Sequence, residues 1–122
     1  IKFSNDNYLV SPYYIVALLW YPAYENLFSI IRKKIFKKSP SIPDNKHLHQ
    51  LIYSYLDKSF NFDKNFSNTL SGILICLYNL FYFLIIFDNF NYTETLVYSV
   101  IFNVLFYNLL YLLLIKKLFK NK

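Results

Sequence analysis

The stretch SNTLSGILICLYNLFYFLIIF, residues 67–87, contains no charged side chain and is apolar on every side from Leu70 onwards. A helix of a soluble protein keeps a polar face for water, whereas a helix that crosses a bilayer needs about 20 predominantly apolar residues. A second stretch of the same kind, TLVYSVIFNVLFYNLLYLLLI, occupies residues 95–115. These stretches predict two membrane-spanning helices joined by a short turn, residues 88–94.

A third candidate span, residues 7–31, is less regular. Its uncharged part is NYLVSPYYIVALLWYPAY, residues 7–24. Pro22 lies deep in this run, where its missing N–H and its ring should kink or break a helix. Apolar residues then recur at helical spacing as far as Ile35, and Arg32 lies on the opposite face. We expect a half-helix that leaves the membrane with Arg32 at the headgroup level.

These patterns predict an all-α integral membrane protein with three transmembrane helices, the first broken near Pro22, and a loop that carries a short amphipathic helix. The composition agrees, because 56% of the 122 residues are apolar and 22% are aromatic, more than in a usual soluble domain. With a single cysteine, Cys76, the chain cannot form an internal disulfide. There is no methionine, so we expect residues 1–122 to be the C-terminal part of a longer multi-span domain.

The positive charges predict how the spans are oriented. Twelve of the 13 Lys and Arg residues lie either between the first and second spans or after the third. They are Arg32, Lys33, Lys34, Lys37, Lys38, Lys46, Lys58, Lys64, Lys116, Lys117, Lys120 and Lys122. The positive-inside rule assigns both segments to the cytoplasm. We therefore expect loop 32–66 and tail 116–122 to be cytoplasmic and turn 88–94 to be external.

The polar passage SPSIPDNKHLHQLIYSYL, residues 39–56, lies within this loop. Pro40 and Pro43 should prevent the preceding helix from continuing and present Asp44 as an N-cap. An apolar stripe at helical spacing follows, formed by Leu48, Leu51, Ile52, Tyr55 and Leu56. A short helix should therefore begin close to Asn45. The free backbone N–H groups at its start, with Lys46 and His47, predict an anion-binding site.

The histidines His47 and His49 allow more than one interpretation. Zinc binding is disfavoured, because zinc sites use three or four ligands and this chain offers no further suitable residue. On a regular helix the two rings would point about 200° apart, so they converge only where the segment is extended or just entering the helix. A solvated pair without a role is the plain alternative to phosphate recognition. Nucleic-acid binding is disfavoured, because cations at a membrane boundary more commonly meet anionic lipid.

Polar residues inside the apolar stretches also need partners. Glu25 lies near the start of the half-helix, where the helix dipole stabilises an anion. We expect a structural acid there; the alternatives are an acid that faces the site or a partner for Arg32. Asn79, Asn103 and Asn108 are expected to form hydrogen bonds between helices.

The run YPAYENLFSIIRKKIFKKSPSIPDNKHLHQLIYSYL, residues 21–56, resembles the last cytoplasmic loop of the polyprenyl-phosphate N-acetylhexosamine phosphate transferases, the bacterial glycosyltransferase family 4. Shared with that family are a span ending in Tyr-Pro, a basic stretch, Ser-Pro, Pro-Asp and a His-x-His element. The matching positions are Tyr21, Pro22, Arg32, Ser39, Pro40, Pro43, Asp44, His47 and His49. The chain departs from the pattern at Asn45, where the family usually has arginine, and at Gln50, where it usually has a second consecutive histidine.

The resemblance implies a multi-pass enzyme of the bacterial inner membrane. Such an enzyme moves a sugar phosphate from a UDP-sugar, here UDP-N-acetylhexosamine, onto polyprenyl (undecaprenyl) phosphate, with magnesium. This is the first membrane step of cell-wall or surface-glycan synthesis. The aspartates that hold magnesium and assist attack would precede this chain, so no catalytic or metal-binding residue is expected within it and it should be inactive alone.

On this hypothesis the phosphate oxygens are held by His47, His49, Lys46 and Arg32, while Asp44 orders the loop. Two readings of another class compete with it. The chain could be a fragment of a transporter, or a non-catalytic subunit of a membrane complex. A transporter should show an internal repeat or charged residues inside its spans, and the second and third spans show neither.

Overall fold

The computed structural model describes residues 10–37, 39, 44 and 46–119. This part of the chain is entirely helical between its turns and contains no strand, which confirms the all-α prediction. The five helices are α1 (Pro12–Leu18), α2 (Trp20–Ile35), α3 (Leu48–Phe60), α4 (Lys64–Phe87) and α5 (Thr93–Phe119).

Helices α4 and α5 are long and apolar enough to cross a membrane, and they contain the predicted second and third spans. Only 17% and 22% of their most apolar windows are buried inside the chain. A core helix of a soluble protein would bury most of that surface, so these helices present an outer surface suited to lipid. The region of the first predicted span forms two shorter helices, neither of which reaches that length; residues 7–9 lie outside the described part.

Side-chain hydrogen bonds join α5 to its neighbours inside the apolar layer. The Tyr78 hydroxyl donates to Asn103 Oδ1, and Asn108 Nδ2 donates to the Tyr24 hydroxyl at 2.7 Å. The expected interhelical role is confirmed for both asparagines. It is wrong for Asn79, which donates to the Ile75 carbonyl of its own helix at 2.9 Å. An amide at that position can satisfy itself one turn back along the helix, without a partner helix.

The predicted interruption in the first apolar run is present, but it falls at Leu19 and not at Pro22. The Leu19 N–H donates to the Ile15 carbonyl and the Ala23 N–H donates to the Leu19 carbonyl, both at 3.1 Å. Pro22 has no N–H to donate to the carbonyl of Leu18, one turn earlier, so the helix is interrupted directly after Leu18. Pro22 itself lies in the first turn of α2, where proline is tolerated.

Helix α2 has its polar and apolar sides reversed relative to a soluble helix. Its buried residues include Glu25, Ser29 and Arg32, which share one side at i, i+4 and i+7; we call this the polar face of α2. The outward side is apolar, with 44–69% exposure of Leu27, Ile30, Ile31 and Ile35. Arg32 lies on the side away from these residues, and only 9% of it is exposed. Its expected position at the headgroup level stays a prediction.

Helix α3 lies against α4 and α5, and its predicted apolar stripe faces them. Leu48, Leu51 and Leu56 are buried. The helix begins at Leu48, later than expected, and its N-cap is His47. The prediction that Asp44 caps this helix was therefore wrong. Asn45, Pro40 and Pro43, which were expected to shape the turn before it, lie outside the described residues.

An aromatic core joins the helices. The Trp20 ring, 3% exposed, meets Tyr78 and Tyr82 of α4 edge-on, with ring centroids 6.0 Å apart in each pair. Tyr107 of α5, 1% exposed, packs edge-on against Tyr24 at a centroid separation of 5.0 Å. Edge-to-face pairs of this kind add to the free energy gained by burial. They fix α2 against α4 and α5.

We predict that Trp20→Ala lowers the free energy of unfolding by about 3–5 kcal/mol, because it leaves a cavity where three aromatic contacts meet. The measurement is denaturant unfolding of the purified protein in detergent. Leu109→Ala is the control, since Leu109 is 57% exposed on α5. Equal losses in the two variants would contradict the assignment of Trp20 to the core.

Candidate functional site

The polar face of α2 contacts the segment that leads into α3 at two points. Arg32 and Ser29 meet Asp44, and Glu25 meets His47 and Leu48. Since α2 is packed into the aromatic core, the segment is held against a rigid helix on one side and continues into α3 on the other. The predicted site residues of the loop therefore lie between two fixed elements.

The first contact is a buried ion pair between Arg32 and Asp44, each with a side-chain exposure of 10%. Arg32 Nη2 donates to Asp44 Oδ2, and Arg32 Nη1 donates to the Tyr111 hydroxyl at 2.8 Å. The guanidinium carbon also lies 5.4 Å from the ring centroids of Phe28 and Tyr111. Planar stacking and fixed donors are what arginine offers at such a site. Here they bind a carboxylate of the same chain.

Asp44 collects further donors on both oxygens. The Ser29 hydroxyl donates to Oδ2 at 2.5 Å, and the Lys46 N–H donates to Oδ1 at 3.1 Å. Burial alone would raise the pKa of Asp44. The hydrogen bonds from Ser29, Arg32 and Lys46, together with the charge of Arg32, favour the ionised carboxylate more strongly and lower its pKa from 3.8 to about 2. Asp44 thus stays charged at any physiological pH and ties the loop to α2.

The second contact is made by Glu25, which is 8% exposed. Its Oε1 accepts the Leu48 N–H at 3.1 Å and lies 2.9 Å from Nδ1 of His47. Gln50, where the resembling family usually has histidine, uses its Oε1 to accept the His47 N–H at 3.2 Å. The alternative in which Glu25 pairs with Arg32 was wrong, because Asp44 takes that place.

The two imidazole rings converge. Their centroids are 5.9 Å apart and their planes are 11° from parallel. His47 has φ −67° and ψ 152°, so it is extended and precedes the first helical residue. This confirms the condition stated from sequence: the pair can converge only where the chain is just entering the helix. We call His47 and His49 the histidine pair.

Cationic side chains from two elements lie beside this end of α3. Lys46 precedes the histidine pair, and its Nζ is 5.4 Å from the Phe119 ring centroid at the end of α5. Lys117 Nζ donates to the Tyr55 hydroxyl of α3 at 2.7 Å and lies 4.5 Å from that ring centroid. The hydrogen bond from Lys117 and a second one from Ser59 lower the pKa of Tyr55. The end of α5 thus contributes positive charge close to the loop.

The structure changes the expected source of anion-binding groups. We expected free backbone N–H groups at the start of α3, and this was wrong for the described residues. The N–H groups of Lys46, His47 and Leu48 donate to Asp44, Gln50 and Glu25 respectively. These three N–H groups are therefore not free to hold an anion, and the side chains of Lys46, His47 and His49 are the candidates for that role.

The four predicted phosphate ligands all lie within the described residues. The rings of His47 and His49 stack at the start of α3, and Lys46 directly precedes them in the chain, with its Nζ over the Phe119 ring. Arg32 lies apart from them along α2, with both terminal nitrogens engaged by Asp44 and Tyr111. A phosphate contact by Arg32 stays a prediction, whereas its contact with the loop is observed.

Sequence reasoning did not assign Ser29, Tyr111 or Gln50 to the site. A usable signal was the i, i+4, i+7 spacing of Glu25, Ser29 and Arg32 along a helix whose other positions are mainly apolar. In a membrane protein such a polar face points into the chain, where its partners are found. Tyr111 carries no comparable signal, because tyrosines recur throughout α5.

The described residues do not form a magnesium site. Both oxygens of Asp44 accept from N–H or O–H donors of the chain, and Glu25 Oε1 accepts the Leu48 N–H, so a cation at these atoms would have to displace those donors. Within the described ranges no three His, Cys, Asp or Glu side chains group together as metal ligands would. Magnesium requires several oxygen ligands in near-octahedral positions. We therefore assign no metal-binding role to Glu25 or Asp44.

Comparison with curated proteins finds a relative in Thermotoga maritima, an undecaprenyl-phosphate alpha-N-acetylglucosaminyl 1-phosphate transferase. It is 32% identical to this chain over 74 residues, which cover 61% of the chain and 25% of the relative. The match thus spans about a quarter of the relative's length. No protein-family model and no solved structure matches the chain. The comparison supports a distant, partial relation to a transferase family.

We predict that Arg32→Met destabilises the fold by about 3–5 kcal/mol, because it leaves the buried Asp44 carboxylate without its cation. Adding Asp44→Asn should recover part of the loss, since the double variant buries no unpaired charge. Unfolding in detergent measures both. Lys34→Met is the matched control, because Lys34 is an exposed cation of the same helix. A loss no larger than that of the control would show that the pair does not stabilise the fold.

The lowered pKa of Asp44 also predicts a pH dependence. The folded pKa of about 2 lies below the ordinary value of 3.8, so the charged form favours folding. The contribution should be complete above about pH 5, decline as the pH falls through 3.8 and disappear below about pH 2. We expect the stability difference between the wild type and Asp44→Asn to shrink over that window. A difference that stays constant from pH 6 to 2 would contradict the assignment.

Proposed function

We propose that this chain is part of a membrane transferase that moves a sugar phosphate from UDP-N-acetylhexosamine to polyprenyl (undecaprenyl) phosphate. The observation that carries the proposal is the histidine pair, held by contacts from α2 beside Lys46 in a chain similar to the Thermotoga maritima transferase. This would be the first membrane step in the synthesis of a cell-wall or surface glycan.

The proposed chemistry needs little beyond placement and charge. Phosphoryl-type transfer is accelerated mainly by groups that hold the phosphates in line and neutralise their oxygens. In this proposal His47 and His49 donate hydrogen bonds to diphosphate or acceptor-phosphate oxygens, and Lys46 adds a positive charge. Arg32 and Asp44 keep the segment in place. Magnesium, which the resemblance implies, would supply further charge neutralisation and would be held by aspartates of cytoplasmic loops that precede this chain.

The membrane arrangement is part of the proposal. We propose three spans, formed by α1 together with α2, by α4 and by α5, with loop 32–66 and the C-terminus in the cytoplasm. The exposed apolar side of α2 and the exposed surfaces of α4 and α5 support it. A lipid phosphate lies at the headgroup plane, where a loop between spans can meet it. The UDP-sugar donor and the lipid acceptor both carry phosphate groups, so one cationic segment could contact either substrate.

The histidine pair provides the direct test. In the complete protein, His47→Ala and His49→Ala should each lower kcat/KM by about 100-fold or more, because a donor to the transferred phosphate is lost. The assay follows transfer of radiolabelled sugar phosphate from UDP-N-acetylglucosamine to undecaprenyl phosphate in detergent. Lys58→Ala is the control, since Lys58 is an exposed cation later in α3.

Turnover near the wild-type value in both histidine variants, with folding intact, would remove the pair from the site. A complete protein that transfers no sugar phosphate, in a background where the Thermotoga maritima relative does, would favour the second candidate. That candidate is a non-catalytic membrane subunit or a transporter fragment, in which the pair has only a structural role.

A further inference from the structure

We infer that Glu25 is a positioning residue that sets the orientation of the His47 ring, with Nδ1 towards α2 and Nε2 towards the face shared with His49. The inference rests on the proposed function, because it says how the phosphate-binding histidine is prepared. Neither the sequence pattern nor the comparison assigns this role to Glu25.

The hydrogen-bond geometry decides the ring orientation. Glu25 Oε1 accepts the Leu48 N–H at 3.1 Å and lies 2.9 Å from His47 Nδ1. A carboxylate oxygen accepts and does not donate, so the contact requires the proton on Nδ1. Nε2 is then the nitrogen directed away from Glu25. Ligand histidines are commonly fixed in the same way, by a carboxylate on the nitrogen that does not touch the ligand.

Burial makes this contact stringent. Glu25 is 8% exposed, whereas the His47 side chain keeps 24% of its surface exposed. A buried carboxylate needs hydrogen-bond donors. Two of them come from adjacent residues of one segment and both meet Oε1, whereas Oε2 has no hydrogen-bond partner among the described residues, so these donors matter the more. The ring therefore cannot turn over without leaving Oε1 short of a donor. The exposed part of the ring is the part that a ligand could reach.

Glu25 also fixes the start of α3, which places the second histidine. Its Oε1 holds the N–H of Leu48, the first residue of the helix. His49 follows directly, and its ring stacks on that of His47 with planes 11° from parallel. One carboxylate thus sets both the ring of His47 and the helical turn that carries His49. The groups around it are Tyr21 and Tyr107, which interact with it electrostatically, besides the histidine pair.

The test replaces Glu25 by two residues of similar length. Glu25→Met removes the acceptor and should lower kcat/KM of the complete protein by about 10- to 100-fold. Glu25→Gln keeps a carbonyl oxygen that can accept from both donors, so it should retain more activity than Glu25→Met. Asn26→Met is the matched control and should leave activity unchanged, because Asn26 is the exposed neighbour on the same helix.

Two further readouts separate positioning from general stability. If Glu25 acts through His47, then Glu25→Met should cost nothing more in the His47→Ala background, and the two changes are not additive. Amide hydrogen exchange at Leu48 should accelerate in Glu25→Met and stay slow in Glu25→Gln, a result that does not depend on activity.

The outcomes distinguish this inference from the proposed function. Loss of activity in His47→Ala together with unchanged activity in Glu25→Met overturns the positioning role and leaves the proposed function standing. Additive losses, or Glu25→Gln as damaging as Glu25→Met, also overturn it. Near-normal activity in His47→Ala overturns the proposed function, while the exchange rate at Leu48 still reports whether Glu25 holds the start of α3.

Discussion

A buried polar face on a helix whose outward side is apolar constrains the rest of this structure. The Glu25 carboxylate and the Arg32 guanidinium of α2 are largely buried, with side-chain exposures of 11% and 10%, so partners inside the chain stabilise them. The loop that follows α2 supplies those partners. Its described residues Asp44 and His47 are placed by their contacts with Arg32 and Glu25, and the placement of the histidine pair follows from the second contact.

The broad architecture could be predicted because it depends on local properties. Three features can be recognised in the sequence itself: the lengths of the two apolar stretches, the apolar stripe of α3 and the effect of Pro22. The displacement of the break to Leu19 follows from backbone hydrogen bonding, since proline withholds its donor from the residue four positions earlier. Where a helix ends near a proline therefore depends on which backbone hydrogen bond the proline removes.

The candidate site was predicted less completely, because its decisive contacts join residues far apart in sequence. Periodicity placed Arg32 opposite the apolar residues of α2 and did not indicate that Asp44 is its partner. The pattern alone does not say whether lipid or protein lies on the apolar side. In the fold, the polar side of α2 is the side that lies inside the chain. Similarly, Asp44 is well suited to cap a helix. In the fold the buried Arg32 competes for the same carboxylate and outweighs the cap.

The start of α1 is also joined to the connection between α4 and α5. Ser11 shares a hydrogen bond of 2.8 Å with the Thr93 hydroxyl, and its N–H donates to the Phe90 carbonyl at 3.1 Å. Helices α1 and α2 are therefore joined to other elements on both sides of Leu19, α1 to the α4–α5 connection and α2 to the loop.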